Sequence, residues 1–481
     1  MIHLDENPMG PLCKATGALA LASALALAGC GGGGAQSNAP APSLMLFAAN
    51  DGTTGIELWR TDGTGTGTTL VKDINTSGNS FPGASGTPFP TEFAFFNGAW
   101  FFSADDGMSG TELWKSDGTP GGTLRVKDIN QTAAGASSSP RGFTVFNNAL
   151  YFSADDGVTG RELWKTDGTE TGTVQVMDIA PGAGSVVPGP LSSSPSGFKV
   201  FNNALYFSAD DGTTGVELWK TDSAGSTVQV KDINSTSPGA SSAPRGFTVF
   251  NNALYFAADD GVAGRELWKT DGTPGGTARV TDINMAGDSS PSGLTVFNNA
   301  LYFSADDGLT GFELWKTDIA GSTVQVKNVN PAADSAPSGF TVFNNALYFS
   351  ADDGVAPAEL WKTDIAGSTV RVGAVSLVSG LTVFNNALYF SASDGVTGVE
   401  LWKTNGTDSG TLLVKDINPS PGASSTPSAF VVLNNALLFS ADDGVTGREL
   451  WKTDSSGSTV QVKDICPASC DGLPILVPLS P

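Results

Sequence analysis

The tripeptide Glu-Leu-Trp recurs nine times along this chain of 481 residues, each time inside a longer repeated unit. Successive copies are 41 to 55 residues apart, and the third unit, Gly142 to Ile179, is a clean copy of the pattern. A period of about 45 residues indicates stacked supersecondary units that bury their apolar faces against one another. We interpret the repeated tryptophans as packing between units, with sugar stacking on exposed indoles as the alternative. They are Trp59, Trp114, Trp164, Trp219, Trp268, Trp315, Trp361, Trp402 and Trp451.

Each unit divides into four strand-like pieces separated by turn signals. The alternation of apolar and small or polar residues in Leu150–Ala154 is typical of a strand, and the Asn-Asn and Asp-Gly steps allow tight hairpins. We therefore predict an all-β fold, a β-propeller of nine four-stranded blades. Because propellers usually have about four to eight blades, a ring of eight with one loose unit and an open array both stay open. In the third unit the predicted strands are Phe143–Phe146, Leu150–Ala154, Glu162–Thr166 and Thr173–Asp178.

The two ends of the repeat region predict that the ring closes. The first unit begins at Leu44–Phe47, which aligns with the second strand of the other units. Gly472–Leu476 falls where the first strand of a further unit would start. This segment is predicted to complete the first blade, because closure removes the exposed sheet edges that invite aggregation.

The first residues are predicted to be an export signal and a membrane anchor. Lys14 precedes an apolar run, Ala18–Ala28, that is too short to span a membrane. Leu27-Ala28-Gly29-Cys30 resembles a bacterial lipobox, which implies a signal peptide over 1–29 and a lipidated Cys30 as the first mature residue. A plain secretory peptide with an incidental cysteine is the alternative, and translation starting at Met9 would give a more typical signal length.

The predicted partner at this end of the chain is the lipid bilayer, which the acyl chains of Cys30 would enter. Residues 30–43 are then a flexible linker, and 44–481 form the repeat domain. By the same resemblance, Gly31 in place of an aspartate favours the outer membrane. At the other end, Cys466 and Cys470 are predicted to form a small disulfide, since exported proteins meet an oxidising environment.

An acidic loop pattern, ADDGxxGxE, is the candidate metal site. Two carboxylates, a glycine turn and a third carboxylate could supply oxygen ligands for Ca²⁺. Aspartates that cap local backbone groups in a turn explain the same letters, so both interpretations stay open. The candidate ligands are Asp105, Asp106 and Glu112; Asp155, Asp156 and Glu162; Asp210, Asp211 and Glu217; Asp259, Asp260 and Glu266; Asp306, Asp307 and Glu313; and Asp442, Asp443 and Glu449.

Charge and composition argue against several classes of function. The formal net charge of −23 disfavours nucleic acid, because phosphate binding needs a basic surface. The only histidine, His3, precedes the repeats, so the mature domain has no imidazole base, and we predict that the chain is not an enzyme. A polysaccharide hydrolase or lyase would need two carboxylates with unlike environments. The lysine after each tryptophan, for example Lys165, is interpreted as a solvated surface charge.

The repeats resemble a bacterial group, the ELWxxDGT repeat proteins. The full Asp-Gly-Thr stands at Asp62, Asp117, Asp167 and Asp271, and Asn405 replaces the aspartate in unit eight. Units four, six, seven and nine depart from it with TDSAGST, TDIAGST or TDSSGST. The resemblance implies an exported, propeller-like surface protein, and it carries no catalytic residues over to this chain.

We therefore expect a non-catalytic binding or adhesion module of the cell envelope, with a protein or a glycan as ligand. Loops on a rigid scaffold commonly carry recognition, and three variable segments between units are the candidates. A structural coat protein with cation-binding turns is the alternative function. The variable segments are Asn75–Thr91, Ala180–Pro195 and Ser235–Pro244.

Overall fold

The computed structural model describes residues 44–81, 92–182, 190–467 and 471–472. The predicted signal peptide, Cys30, the linker and Cys470 lie outside the described residues. Within them the regular elements are β-strands, which form nine antiparallel sheets, here called blades 1 to 9 in chain order. No helix long and apolar enough to cross a bilayer occurs among the residues so described.

The strands of the first five blades have the following bounds. Blade 1 contains β1 (Met45–Asn50), β2 (Ile56–Thr61) and β3 (Thr69–Lys72); blade 2 contains β4 (Ala94–Phe96), β5 (Ala99–Asp105), β6 (Thr111–Ser116) and β7 (Leu124–Lys127); blade 3 contains β8 (Arg141–Phe146), β9 (Ala149–Asp155), β10 (Arg161–Thr166) and β11 (Val174–Met177); blade 4 contains β12 (Ser196–Phe201), β13 (Ala204–Asp210), β14 (Val216–Asp222) and β15 (Thr227–Lys231); blade 5 contains β16 (Arg245–Phe250), β17 (Ala253–Asp259), β18 (Arg265–Thr270) and β19 (Ala278–Arg279).

The remaining four blades repeat this arrangement. Blade 6 contains β20 (Ser292–Phe297), β21 (Ala300–Asp306), β22 (Phe312–Asp318) and β23 (Thr323–Lys327); blade 7 contains β24 (Ser338–Phe343), β25 (Ala346–Ala351), β26 (Glu359–Asp364) and β27 (Thr369–Arg371); blade 8 contains β28 (Ser376–Phe384), β29 (Ala387–Ser393), β30 (Val399–Thr404) and β31 (Leu412–Lys415); blade 9 contains β32 (Ser428–Leu433), β33 (Ala436–Asp442), β34 (Arg448–Asp454) and β35 (Thr459–Lys463).

The strands of every blade pair in chain order, and the blades form a ring. In blades 2 to 9 the order is first, second, third and fourth strand, and blade 1 has three strands among the described residues. First strands of successive blades lie beside each other, as β12 does beside β8 and β16, so these strands surround the axis of the ring. The prediction of a nine-bladed propeller is confirmed. The bounds predicted for the third unit agree with β8 to β11 within two residues.

The hairpin between the first two strands of a blade depends on its two asparagines. Asn147 and Asn148 have φ angles of 48° and 59° between β8 and β9. A two-residue hairpin of this kind needs left-handed backbone at both central positions, and asparagine adopts it more readily than most residues. The repeated Asn-Asn step therefore fixes the turn and the pairing register of β8 with β9.

The core consists of layers between neighbouring blades. Between blades 2 and 3, Phe101 and Leu113 contact Leu150 and Phe152, and Trp164 closes the layer. Only 6% of Trp164 is exposed, so its large ring is removed from water at this interface. Corresponding layers, with the tryptophan of the following blade, fill the spaces between the other blades.

Blade 9 packs against blade 1, which closes the ring. Met45, Phe47 and Trp59 share one apolar cluster with Leu438 and Leu450. The Nζ atoms of two blade 9 lysines, Lys452 and Lys463, donate to the carbonyl oxygens of Gly63 (2.8 Å) and Thr68 (2.9 Å). The loose-unit and open-array alternatives are therefore excluded.

The segment predicted to complete blade 1 is described only at its first residue. The backbone N–H of Asn50, in β1, donates to the carbonyl oxygen of Gly472 at 2.9 Å. The rest of the predicted strand, 473–476, lies outside the described residues. The contact shows that the chain returns to β1, and it is the contact that Ser138 makes with Asp155 between blades 2 and 3. Gly472 therefore takes the position of Ser138, four residues before the glycine with which the prediction aligned it, and the strand over 473–476 stays a prediction.

Candidate functional site

Because the strands of a blade are antiparallel, their connections alternate between two faces of the ring. The turn between the second and third strands and the segment that leads to the next blade lie on one face, here called the linker face. The turns between first and second strands and between third and fourth strands lie on the other, here called the hairpin face. The predicted acidic loops and the described parts of the variable segments are therefore on the linker face. Of the variable segments, Ser235–Pro244 is described throughout, and 82–91 and 183–189 of the other two are not.

The paired aspartates of the acidic loops accept hydrogen bonds from their own turns. The Asp155 carboxylate accepts from the Gly157 N–H at 2.7 Å. Asp156 Oδ1 accepts from the N–H groups of Val158 (2.8 Å) and Thr159 (2.7 Å) and from the Thr159 hydroxyl (3.1 Å). The second aspartates of the other acidic loops also cap their turns: Asp106, Asp211, Asp260, Asp307 and Asp443.

These turn hydrogen bonds change the acidity of the aspartates. At Asp211, partial burial alone would raise the pKa, but the N–H groups of Thr214 and Thr213 outweigh it and the pKa lies below its ordinary value. The same balance lowers the pKa of Asp106, Asp307 and Asp443. Each of these carboxylates is therefore an anion whose Oδ1 is already used within the loop.

The glutamate of the pattern has a different position and a different role. Glu162 is fully buried, and it accepts from the Ile179 N–H (2.8 Å), the Ser193 N–H (2.9 Å) and the Ser193 hydroxyl (2.6 Å). The Ser193 carbonyl in turn accepts from the Asp210 N–H of blade 4 at 2.9 Å. The carboxylate therefore holds the segment between two blades. Glu112, Glu217, Glu266 and Glu313 make the same set of contacts.

Burial raises the pKa of these glutamates, although the hydrogen bonds oppose the change. In blade 9 the donors to Glu449 are the N–H groups of Ile465, Cys466 and Gly472, and burial raises the pKa of Glu449 to about 7. Cys466 is itself buried and disulfide-bonded, and Cys470, its predicted partner, lies outside the described residues. In blade 7 the Glu359 carboxylate instead pairs with Arg371.

The structure does not bring the predicted calcium ligands together. In the β9–β10 register Glu162 lies opposite Ala154, so Asp155, the next residue, projects from the other side of the sheet. Across the described ranges there is no group of three or more histidine, cysteine, aspartate or glutamate side chains placed to hold a metal. The turn interpretation accounts for the contacts of the second aspartate in all six acidic loops, and it does not account for those of the glutamate.

The interpretation of the lysine after each tryptophan as a solvated charge was wrong for several blades. Lys115 Nζ donates to the Gly168 carbonyl of the next blade at 2.8 Å, and Lys220 Nζ donates to Gly272 at the same distance. Arg60, Lys362 and Lys452 make the equivalent contact. Each acceptor is the glycine of an Asp-Gly-Thr or Asn-Gly-Thr turn.

Where the next blade lacks that turn, an asparagine makes the contact. Asn147 Nδ2 donates to the Ser223 carbonyl of blade 4 at 2.8 Å, and Asn251 Nδ2 donates to the Ile319 carbonyl of blade 6 at 3.0 Å. Asn298 and Asn385 do the same toward blades 7 and 9. The two turn types are visible in the sequence, but their coupling to two different donors in the preceding blade appears only in the structure.

The first strands surround a cavity of about 1020 Å³ along the axis of the ring. Its lining repeats a Gly-Phe-Thr or Gly-Leu-Thr step, and the ionisable groups among the lining residues are Glu92 and Lys199. Gly142 has φ 74°, and a Cβ there would come within 2.7 Å of the Phe198 ring of the next blade. Only glycine allows both this backbone and this packing, which explains the glycine in the motif.

A ring of apolar side chains occupies the tips of the linker-face turns. In seven blades the residue after Asp-Gly or its equivalent is apolar and 69% to 90% exposed. We call these the tip residues. They are Met108, Val158, Val262, Leu309, Val355, Val396 and Val445.

No model of a known protein family matches the chain, and no curated protein matches it. Among solved structures it is similar to a prolyl endopeptidase, at 12% identity over 68% of this chain with a TM-score of 0.39. It is also similar to a puromycin hydrolase (13% identity, 74% of this chain, TM-score 0.38) and to a puromycin-hydrolyzing peptidase of Mycobacterium tuberculosis (10%, 69%, 0.37). The chain spans between 49% and 59% of the length of these proteins. The chain is shown to be a nine-bladed propeller by its own sheet topology, described above.

Proposed function

We propose that this chain is a non-catalytic binding or adhesion module of the cell envelope, of the ELWxxDGT repeat type, anchored to a membrane through Cys30. Its ligand would be an extended protein or glycan that contacts the linker face. The coat-protein alternative predicts no such ligand.

The observation that carries this proposal is the ring of tip residues. Single exposed apolar residues are normal on protein surfaces, but here the same position is apolar in seven blades. The Asx turns fix each tip, and the buried glutamates hold the segments beside them. A ligand that touched several tips at once would gain avidity without any single strong contact.

The repetition itself supports a non-catalytic role. Acid–base catalysis with two carboxylates needs unlike environments for the two groups. In this ring the buried glutamates of blades 2 to 6 share one set of donors, and the capping aspartates share another. The exceptional glutamates, Glu359 and Glu449, are buried and accept hydrogen bonds from their own blade and the segment after it.

The test compares the two faces of the ring. Full-length protein is titrated onto immobilised cell-surface glycans and cell-surface proteins, alongside a variant with Met108, Val262, Leu309 and Val355 changed to serine. The matched control changes Ile319 and Ile365, which are 59% and 60% exposed on the hairpin face, to serine. We expect the tip variant to lose binding and the control to keep it. Equal binding by all three proteins, or no binding by any, would contradict the proposal.

The anchor is tested separately with Cys30→Ser. The wild-type chain should incorporate labelled fatty acid and sediment with membranes, and the variant should do neither. A variant that still carries the label and sediments would show that Cys30 is not the anchor.

A further inference from the structure

One carboxylate already lies inside the central cavity, bound to backbone amides. Glu92 Oε2 accepts hydrogen bonds from the N–H groups of Gly142 and Phe143, the second at 3.4 Å. These two residues belong to β8, and Glu92 lies just before β4 of the preceding blade. The contact shows that these amides donate hydrogen bonds to a carboxylate.

The two amides are available because β8 contains a bulge. In its pairing with β9, Arg141 lies opposite Ser153 and Thr144 opposite Tyr151, so Gly142 and Phe143 are left out of the register. The positive φ of Gly142 turns this pair of N–H groups toward one oxygen atom. Consecutive backbone N–H groups arranged in this way make an anion-binding concavity.

The same bulge recurs around the cavity. The first strands of blades 4 to 8 all skip a glycine and the following residue, and the φ angles of these glycines lie between 67° and 71°. All five pairs line the cavity. They are Gly197 and Phe198, Gly246 and Phe247, Gly293 and Leu294, Gly339 and Phe340, and Gly380 and Leu381.

The charges near the bulges also suit an anion. Lys199, two residues after Gly197, lines the cavity, and Arg141 and Arg245 directly precede two of the glycines on exposed positions. The Arg161 guanidinium donates to the carbonyl oxygens of Ser138 and Ser139, just before β8, and burial and the Arg141 charge together lower the pKa of Arg161 to about 10. In a chain with a net charge of −23, this is a local concentration of positive charge.

We infer that the central cavity is a binding site for carboxylate-bearing small molecules, which the bulge amides of blades 4 to 8 bind as Gly142 and Phe143 bind Glu92. Lys199 adds a charge-assisted contact. The site lies on the axis of the ring, away from the tip residues, and it does not depend on the adhesion role. Its ligand is an organic anion small enough for a cavity of about 1020 Å³.

The experiment is a calorimetric titration of the full chain with glutarate, whose carboxylates match that of the Glu92 side chain, and with the neutral glutaramide as control ligand. Glu92→Gln removes the competing negative charge and weakens the hydrogen bonds from the two amides, so the affinity for glutarate should rise about tenfold. Lys199→Gln should lower it about tenfold. Glu170→Gln and Lys165→Gln, which make the same charge changes outside the cavity, should leave it unchanged.

Saturable binding of glutarate, absent with glutaramide and shifted in opposite directions by the two cavity variants only, would support the site. The inference is overturned if wild type and Glu92→Gln both respond to glutarate as they do to glutaramide, or if the outer control variants shift the affinity as much as the cavity variants do. The tip variant and the hairpin-face control variant should both bind glutarate as the wild type does. A failure of the binding test on the linker face can therefore be told apart from a failure of this cavity site.

Discussion

At the scale of single residues, the acidic pattern divides into two kinds of carboxylate. The aspartates stabilise a solvent-facing turn, and the glutamate is removed from water and holds the segment between blades. Three or more donors around one buried carboxylate offset part of its desolvation, which is why such a group persists in a core. Removing the buried glutamate should therefore lower the free energy of unfolding far more than removing an exposed turn aspartate.

Glu162→Ala tests this difference. The change leaves the N–H groups of Ile179 and Ser193 and the Ser193 hydroxyl without their acceptor, and each buried unsatisfied group costs about 1–3 kcal/mol. We expect the free energy of unfolding to fall by about 3 kcal/mol or more, measured by urea unfolding followed by tryptophan fluorescence. Asp117→Ala is the control, because water can replace that exposed acceptor. Equal urea midpoints for the two variants would show that the buried glutamate does not stabilise the segment between the blades.

The buried glutamates also predict how stability depends on pH. A carboxyl whose pKa is higher in the folded state binds its proton more tightly there, so the free energy of unfolding falls as pH rises from about 4.5, the ordinary value, to about 7 for Glu449. The lowered pKa values of Asp106, Asp211, Asp307 and Asp443 act in the opposite direction and in a lower pH window, below about 3.8. Thermal melts between pH 4.5 and 8 should therefore show a decline that Glu449→Gln reduces and the exposed Glu170→Gln does not. An unchanged decline in Glu449→Gln would assign it to other groups.

At the scale of elements, the blades are joined by polar contacts as well as by apolar layers. A turn of the Gly-Thr type receives a lysine or arginine from the preceding blade, and the Ala-Gly-Ser or Ser-Gly-Ser type receives an asparagine. Further lysines extend from fourth strands over the next tryptophan, as Lys127 does over Trp164 with Nζ 6.0 Å from the ring centroid. The Asp-Gly-Thr turn of blade 1 receives both Lys452 and Asn434, whose Nδ2 donates to the Asp62 carbonyl at 3.0 Å. Each departure from the Gly-Thr type is matched by a change of donor from lysine to asparagine.

Lys115→Met and Lys165→Met form a matched pair for this coupling. Both lysines follow the tryptophan of their blade, but only Lys115 faces a Gly-Thr turn, where it donates to Gly168 at 2.8 Å. We expect Lys115→Met to lower the free energy of unfolding by about 1–2 kcal/mol, since the bond is charge-assisted and partly buried. Lys165→Met should have little effect. The coupling is wrong if the two variants melt at the same temperature.

At the scale of the whole molecule, the ring closes through contacts between residues almost 400 positions apart. Lys452 and Lys463 both reach the turn between β2 and β3 of blade 1, and Met45 and Phe47 pack against Leu438 and Leu450. Closure leaves on the linker face a ring of acidic turns, seven of which carry a tip residue. The stability of this ring then rests on the apolar layers and on hydrogen bonds, in which the capping aspartates and the buried glutamates of blades 2 to 6 already take part.

Calcium should therefore not stabilise the ring. Melts of the protein with excess Ca²⁺ and with chelator are expected to coincide, because the second aspartate of each acidic loop already caps its turn and the glutamate is buried. Asp156→Asn is the control variant, since it keeps an acceptor oxygen while it removes a charge. A Ca²⁺-dependent rise of several degrees that Asp156→Asn reduces would restore the acidic loops as cation sites.

Only the contacts between blades 9 and 1 decided that all nine units close into one ring. The sequence by itself determined the nine repeated units, their strands and the turns between them. These features depend on local chemistry: alternation in Leu150–Ala154, left-handed asparagines at Asn147 and Asn148, and a tryptophan at a constant place. Only the tertiary structure decided which face of a strand each carboxylate takes and which neighbour it meets. Asp155 and Glu162 look alike in the pattern, yet one caps a turn and the other accepts from a segment 31 residues later. The cavity amides were equally hidden, because bulges in the first strands turn them toward the axis only when the blades are assembled in a ring.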